Sequence, residues 1–443
     1  MRPEKTRVAD VAERVARGEL DGLIGQLEAN GGCARPVRLR GSVLAVDADT
    51  GESFPAYSTT AEPDGVLLKA CGCRRQTRCP ACSVIYKGDA RAIVTAGLTG
   101  GKGADASVAE RPAVFVTLTA PSFGPVHTVW DGTGACQPGR GHCAHGLARG
   151  CQTLHERGDP ELGEALCPDC YDCEGAVMWN ARVNELWRRT LVYAQLSLAA
   201  RLGVPVREVR HHARLSFAKV VEFQRRGLVH VHAVVRLDPG DDGESGLDAA
   251  DLGAAVLVGA KRAKAPNPLH PERPVVWGTQ VDIRPVLASL RTTVARYLAK
   301  YATKSVDDSG ALDTRLTARR LGELDLRPQL EMMVGAAWRL GTRPELEALH
   351  LRHWAHTLGY RGHWVTKSPG YSTTFGALRR ERQEWRRSRV SQSAQGRDGT
   401  VEVGSWEYAG TGYSSPGDAW LAESISAGRE LARRTRWEER SDD

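Results

Sequence analysis

The stretch at residues 214–238, RLSFAKVVEFQRRGLVHVHAVVRLD, decides the fold. Residues 214–224 and 228–237 are two β-runs separated by Arg225, Arg226 and Gly227, a three-residue loop in which a type I turn ends in a left-handed glycine bulge. Such a loop sets the register. Pairing Gln224 with Leu228 puts Leu215, Phe217, Val221 and Phe223 on one face with Val229, Val231, Val235 and Leu237, an almost wholly apolar surface. Residues two apart on a strand share a face, so His230 and His232 project together from the other side, with Glu222 directly opposite His230. Two imidazoles and a carboxylate at one spot suit a hard-to-borderline divalent metal and leave positions for water or phosphate oxygens. His-Val-His alone is also what chance alternation on a solvent-facing strand produces; the carboxylate in register and the apolar opposite face favour the ligand set.

Outward from the hairpin, AVFVTLT at 113–119 reads as a strand stopped by Pro121, and 177–202 reads as one amphipathic helix. Between them lies a Cys- and His-rich insertion at about 130–175. Beyond the hairpin come the acidic 238–251 loop, a short strand in VWGTQVDIRPV and a helix from about 286 to 304 carrying VARYLAKYATK. On that helix Tyr297 and Tyr301 are four apart and share a face, with Lys300 and Lys304 at the same spacing beside them. A phenol needs help to act as a nucleophile, and a nearby ammonium or metal-bound phosphate would favour the phenolate. Core packing of the tyrosines with lysines reaching to solvent is the plainer reading of the same spacing.

The composition narrows the classes. Of 443 residues 41% are hydrophobic and 26% charged, an ordinary globular balance with room for two or three domains. No run approaches the about 18 apolar residues needed to cross a bilayer, and the charged start lacks the apolar core of a secretory signal, so no membrane association and a cytoplasmic location are expected. GLTGGKGADA at 97–106 fails as a nucleotide-binding P-loop, because Ala96 and Gly103 occupy the places around Lys102 where the motif needs Gly and Ser or Thr. The net charge of +7 comes from 60 basic and 53 acidic residues, and fifty of the basic ones are Arg, whose fork suits phosphate. LRRERQEWRRSR at 378–389 concentrates six of them around Trp385; it suits phosphate tracking on DNA and equally a solvated helix with local Glu–Arg pairs.

Eleven Cys bunched at CxxC spacing indicate metal rather than disulfides in a cytoplasmic protein. Cys71, Cys73, Cys79 and Cys82 form a CxC…CxxC array expected to hold one tetrahedral zinc. The insertion offers Cys136, Cys143, His145, Cys151, Cys167, Cys170 and Cys173, more than one zinc can use; Cys143, Cys151, Cys167 and Cys170 are the preferred four, with other subsets open. Cys33 is left outside both sets.

Together these segments resemble the HUH endonuclease superfamily, in which a hydrophobic residue separates two metal-binding His. FVTLTAP (115–121), HVH (230–232) and VARYLAK (294–300) follow one another in the order of the three motifs of rolling-circle replication initiators, whereas conjugative relaxases place the tyrosine before the histidines. EFQRRGLVHVHAVVRLD, CYDCEGAVMWNARVNELWRR, YLAKYATK and HTLGYRGHWVTKSPGYSTTFGALR further resemble the initiators of actinobacterial plasmids and integrative elements, a likeness covering most of residues 70–390. The resemblance implies an antiparallel sheet carrying the HUH strands, Tyr297 as nucleophile, Lys300 as its helical partner, Tyr301 as the second tyrosine, and His230 with His232 as ligands of Mg²⁺ or Mn²⁺. Glu222 as third ligand rests on the hairpin register, and a Gln or His elsewhere could replace it. Thr117 and Thr119 are expected on the strand beside the hairpin, in a structural role. The long insertion, and Cys173 where an aromatic residue is expected, depart from the pattern.

The expected protein is α+β, with an N-terminal region at 1–110 holding a zinc knuckle, an HUH nicking domain at 111–305 and a helical, Arg-rich C-terminal region at 306–443 ending in a polar tail. Its expected activity is metal-dependent nicking and joining of single-stranded origin DNA through a 5′-phosphotyrosine link, leaving a 3′-OH primer, with a host helicase and polymerase as partners. A zinc-stabilised DNA-binding regulator without nuclease activity, or an HUH transposase or relaxase, are the competing readings.

Overall fold

The structure is a computed structural model that describes residues 3–129, 136–243, 245–307, 315–390 and 400–438. It is α+β, with antiparallel sheets and many helices, and it divides into two compact units: residues 90–374, and residues 1–89 together with 375–443. This division cuts the chain at 89/90 and 374/375, whereas the sequence suggests bounds at 110/111 and 305/306, and it groups the residues from 375 on with the N-terminal ones.

The larger unit is built around the hairpin. Strands β1 (Ala113–Leu118), β2 (Ala213–Phe223), β3 (Val229–Pro239), β4 (Val281–Pro285) and β5 (Val365–Lys367) form an antiparallel sheet in the order β4-β1-β3-β2-β5. The turn fixes the pairing as its length predicts. Gln224 N–H donates to Leu228 O and Gly227 N–H to Gln224 O, both at 2.8 Å, and Gly227 has φ +80°. From there Phe223 faces Val229, Glu222 faces His230, Val221 faces Val231 and Phe217 faces Val235. On the other side of β3, Thr117 of β1 pairs with His232, so the threonine strand lies beside the hairpin.

The apolar face of this sheet packs into one core with Val177, Met178, Trp179, Val183, Leu186 and Trp187 of the helix Cys173–Leu202, and with Leu252 and Val256 of the helix Ala249–Arg262. The long helix begins where the Asp172 side chain accepts from Gly175 N–H and ends at Gly203 in the left-handed region. One charge lies on the apolar face. Lys219, paired with Ala233, is buried, hydrogen-bonds Asn184 Oδ1 at 2.6 Å and has its ammonium pushed down to about 7 by burial.

Asn180 ties the helix to the turn. Its amide donates to Gly227 O at 2.9 Å and Leu358 O at 3.0 Å, and its Oδ1 accepts from Val229 N–H at 2.9 Å. The side chain is fully buried, so Asn180→Ala leaves main-chain groups without partners away from water. The expected loss is about 3 kcal/mol of unfolding free energy, read by urea denaturation.

In the smaller unit, strand Val37–Asp47 pairs antiparallel with Ser53–Ser58, Leu67–Lys69 and, from the far end of the chain, Thr400–Thr411. Leu23 and Leu27 of the helix Leu20–Asn30 pack with Val66, Leu68 and Ala422. Arg14 joins the ends of the chain through Asp64 and Asp418, both at hydrogen-bond distance. No helix among the described residues is long and apolar enough to cross a membrane.

Candidate active site

The polar face of the hairpin gathers the three side chains that the register brings together. The ligand atoms of Glu222, His230 and His232 all lie within 4.8 Å of one another, and the two imidazole centroids are 4.5 Å apart. His232 Nε2 is 3.4 Å from Glu222 Oε1, and its Nδ1 is 3.2 Å from the Thr117 hydroxyl, which orients the ring. Thr117 thus has a role that its strand position alone does not suggest. His230 Nδ1 is buried with no hydrogen-bond partner. A buried imidazole nitrogen left open beside a second imidazole and a carboxylate is a donor set suited to a divalent cation, so the residues present fit Mg²⁺ or Mn²⁺.

Burial pushes the His230 imidazole down to about 3, helped by the neighbouring His232 and by Arg226. Arg226 is held near the turn by Gln224 Oε1 at 2.8 Å. The ring is therefore neutral, the form a metal needs. The sign of its stability effect follows. In the unfolded chain the ring takes a proton below its ordinary 6.5, whereas the folded chain refuses it until about 3. The stability associated with neutral His230 is intact above pH 6.5 and lost as pH falls towards 3. With no Mg²⁺ or Mn²⁺ added, His230→Gln is expected to flatten this acid slope, measured as denaturation midpoint against pH.

The helix Arg291–Asp307 lies on the same face. Ala295, Leu298 and Ala299 form its buried stripe, and Arg291 anchors its start by donating to the main-chain oxygens of Leu98, Val108 and Arg111. Tyr297 and Tyr301 then project together over the histidines. The Tyr301 ring is 4.5 Å from His232 and the Tyr297 ring 5.7 Å, while Phe115 of β1 meets Tyr297 edge-on at 5.6 Å. Tyr301 O–H donates to Tyr297 Oη at 3.0 Å. Burial and this contact raise the Tyr301 phenol above its ordinary range and keep it protonated. Tyr297 is 41% exposed. Lys300, one turn on, has an exposed side chain; the side chain of Lys304 lies outside the described residues.

The cysteines assemble differently from their spacing. In the smaller unit the cluster is Cys33, Cys71, Cys79 and Cys82, not the expected set with Cys73. Cys33 Sγ is 3.7 Å from Cys79 Sγ and accepts from Cys71 N–H at 3.2 Å, having been brought there by a loop 38 residues earlier. In the insertion the expected four are split. Cys143, Cys167 and Cys170 gather around His145, whose Nδ1 is 3.3 Å from Cys170 Sγ and 3.5 Å from Cys167 Sγ. Cys151 belongs instead with His127, Cys136 and His155. Cys173 opens the long helix and joins none of these groups.

In the Arg-rich run, Arg382 is engaged by both carboxylate oxygens of Asp89. Side chains from Trp385 to Val390 lie outside the described residues.

A family model described as a replication initiator protein, pSAM2 (RepSA), matches residues 19–427. A replication initiator protein of Streptomyces ambofaciens is 39% identical over 438 residues, which covers 93% of this chain and 90% of that protein. No solved structure matches.

Proposed function

The chain belongs to the RepSA family of replication initiators, and from that premise we propose that it starts replication as an HUH endonuclease, cutting one strand of origin DNA with Tyr297. One observation carries the reading: Glu222, His230 and His232 share one sheet face with two hydrogen-bonded tyrosines whose rings lie against His232. A metal-ligand set beside a nucleophile suits phosphoryl transfer to a protein side chain.

Glu222, His230 and His232 would hold Mg²⁺ or Mn²⁺, which when bound polarises the scissile phosphate. The protein's own groups supply the rest. Tyr297 gives up its phenolic proton to solvent, and its oxygen forms a bond to phosphorus as the bond from phosphorus to the 3′-oxygen breaks. That oxygen takes a proton and becomes the free 3′-OH that primes synthesis, while the DNA 5′-phosphate stays on Tyr297. Tyr301, kept protonated, donates its hydrogen bond to the Tyr297 oxygen and stabilises the charge there, which favours Tyr297 as first nucleophile. After one round of synthesis Tyr301 stands next to the link and is placed to attack the regenerated site. Lys300, exposed on the tyrosine helix, adds positive charge near the DNA backbone.

Zinc at Cys33, Cys71, Cys79 and Cys82, and at Cys143, His145, Cys167 and Cys170, is proposed as structural, since four protein ligands close each site. Unwinding and synthesis fall to a host helicase and polymerase. The test is incubation with Mn²⁺ and single-stranded origin DNA, followed by denaturing electrophoresis. A metal-dependent protein–DNA adduct is expected; binding without cleavage would favour a zinc-stabilised regulator instead.

A further inference from the structure

A third group of metal-ligating side chains lies in the insertion, and the nicking chemistry does not use it. His127, Cys136, Cys151 and His155 each offer one atom, all within 4.8 Å of one another. His127 Nδ1 is 2.9 Å from His155 Nε2, Cys151 Sγ is 3.5 Å from His155 Nε2, and Cys136 Sγ is 3.9 Å from His127 Nδ1. Tetrahedral ligands at about 2.0 to 2.3 Å from a zinc ion stand about 3.3 to 3.8 Å from each other, so these separations surround the values that a Cys2His2 site needs.

The surroundings hold these side chains in place. A two-way main-chain pair between Gln137 and Cys151 sets Cys136 and Cys151 next to each other. Cys136 Sγ accepts from Thr128 N–H at 3.2 Å, and the main chain of His127 is bonded to Gly163 and Glu164. His155 is 1% exposed, and its Nδ1 faces Asp159 Oδ2 at 2.7 Å. A carboxylate on one nitrogen fixes the ring and turns the lone pair of the other towards the cluster, the arrangement common behind zinc-bound histidines.

We propose that His127, Cys136, Cys151 and His155 bind a structural zinc ion, distinct from the two thiol-rich clusters, and that this ion fixes the segment at 159–164 against the turn of the catalytic hairpin. Asp159 O accepts from Arg225 of that turn at 2.6 Å. Arg327 donates to Leu162 O and Glu164 Oε1 on one side and to Arg225 O on the other. Gly163, at φ +84°, passes so close that a Cβ would sit 2.6 Å from the Arg225 carbonyl carbon. The turn from which Glu222 and His230 diverge is thus clamped to a segment that begins four residues after a zinc ligand. Neither part of this proposal depends on DNA being cut.

Full-length protein purified without chelator is expected to hold three zinc ions per chain by elemental analysis. Differential alkylation followed by mass spectrometry should find Cys136 and Cys151 shielded before chelation and reactive after it. His127→Ala should lower the zinc content by one while leaving the Cys33 and Cys143 clusters shielded, His127→Cys should restore it, and hydrogen exchange across 225–230 should rise by about tenfold or more in His127→Ala. Cys136 and Cys151 labelled equally before and after chelation, or joined as a disulfide, would overturn the site; unchanged exchange at the turn in a zinc-depleted variant would overturn the clamp. If His127→Ala does not fold, the alkylation map of the unaltered protein decides the site, and exchange at the turn before and after chelation decides the clamp.

Discussion

Replacing Tyr297 with phenylalanine is expected to abolish the protein–DNA adduct and lower nicking by about 10³-fold or more, because the change deletes only the oxygen proposed to attack. The ring remains, so its edge contact with Phe115 and its packing against His232 persist. With Tyr297 41% exposed, the stability should change by less than about 0.5 kcal/mol, which separates lost chemistry from lost folding. Tyr301→Phe is the informative companion. It removes the hydroxyl that donates to Tyr297 Oη, and a hydrogen bond to a developing charge is worth about 1.5 to 3 kcal/mol, or roughly 10- to 100-fold in rate. Its first cut should therefore slow but still leave DNA on Tyr297, while release of a joined circle should fail. Adduct surviving in Tyr297→Phe and absent in Tyr301→Phe would reverse the two roles.

Removing the charge of Glu222 is expected to weaken Mn²⁺ binding by about 100-fold or more. Glu222→Gln keeps the shape and an acceptor for His232 but gives up a carboxylate ligand, and hard cations depend on such charge. Thr117→Val provides the scale. The threonine hydroxyl is 3.2 Å from His232 Nδ1, and loss of a ligand's hydrogen-bond partner costs about 10- to 100-fold in metal affinity. Titration calorimetry with Mn²⁺ should therefore rank wild type above Thr117→Val and Thr117→Val above Glu222→Gln, with nicking by Glu222→Gln partly recovered at high Mn²⁺. Equal affinity in wild type and Glu222→Gln would remove Glu222 from the ligand set.

The parts legible in the sequence are those set by local geometry. A three-residue turn ending in Gly227 fixes which residues face each other, so the Glu222–His230 pairing could be read from 214–238 alone. Spacing along a helix likewise puts Tyr297 and Tyr301 together, but only the resemblance to known initiators placed them over the histidines. What escaped is long-range. Cys33 reaches Cys71 and Cys79 across a fold that CxxC spacing does not encode, whereas that spacing points to Cys73. His127 and His155 sit in text without any ligand motif, and the exposed, Gly-containing strand Thr400–Thr411 reads as polar tail until its pairing with Val37–Asp47 is seen. Asn180 and Lys219 are polar positions in otherwise apolar surroundings. Their partners lie on other elements, and periodicity carries no sign of them.

Locating the DNA on the chain tests the proposed chemistry at its attacking atom. Trypsin cuts after Arg296, Lys300 and Lys304, so the two tyrosines fall on separate peptides, YLAK and YATK. After reaction with Mn²⁺ and a short single-stranded origin oligonucleotide, nuclease trimming and mass spectrometry should find the residual nucleotide on Tyr297 in YLAK. A nucleotide found on neither tyrosine, or cleavage with no covalent link, would contradict the proposed chemistry.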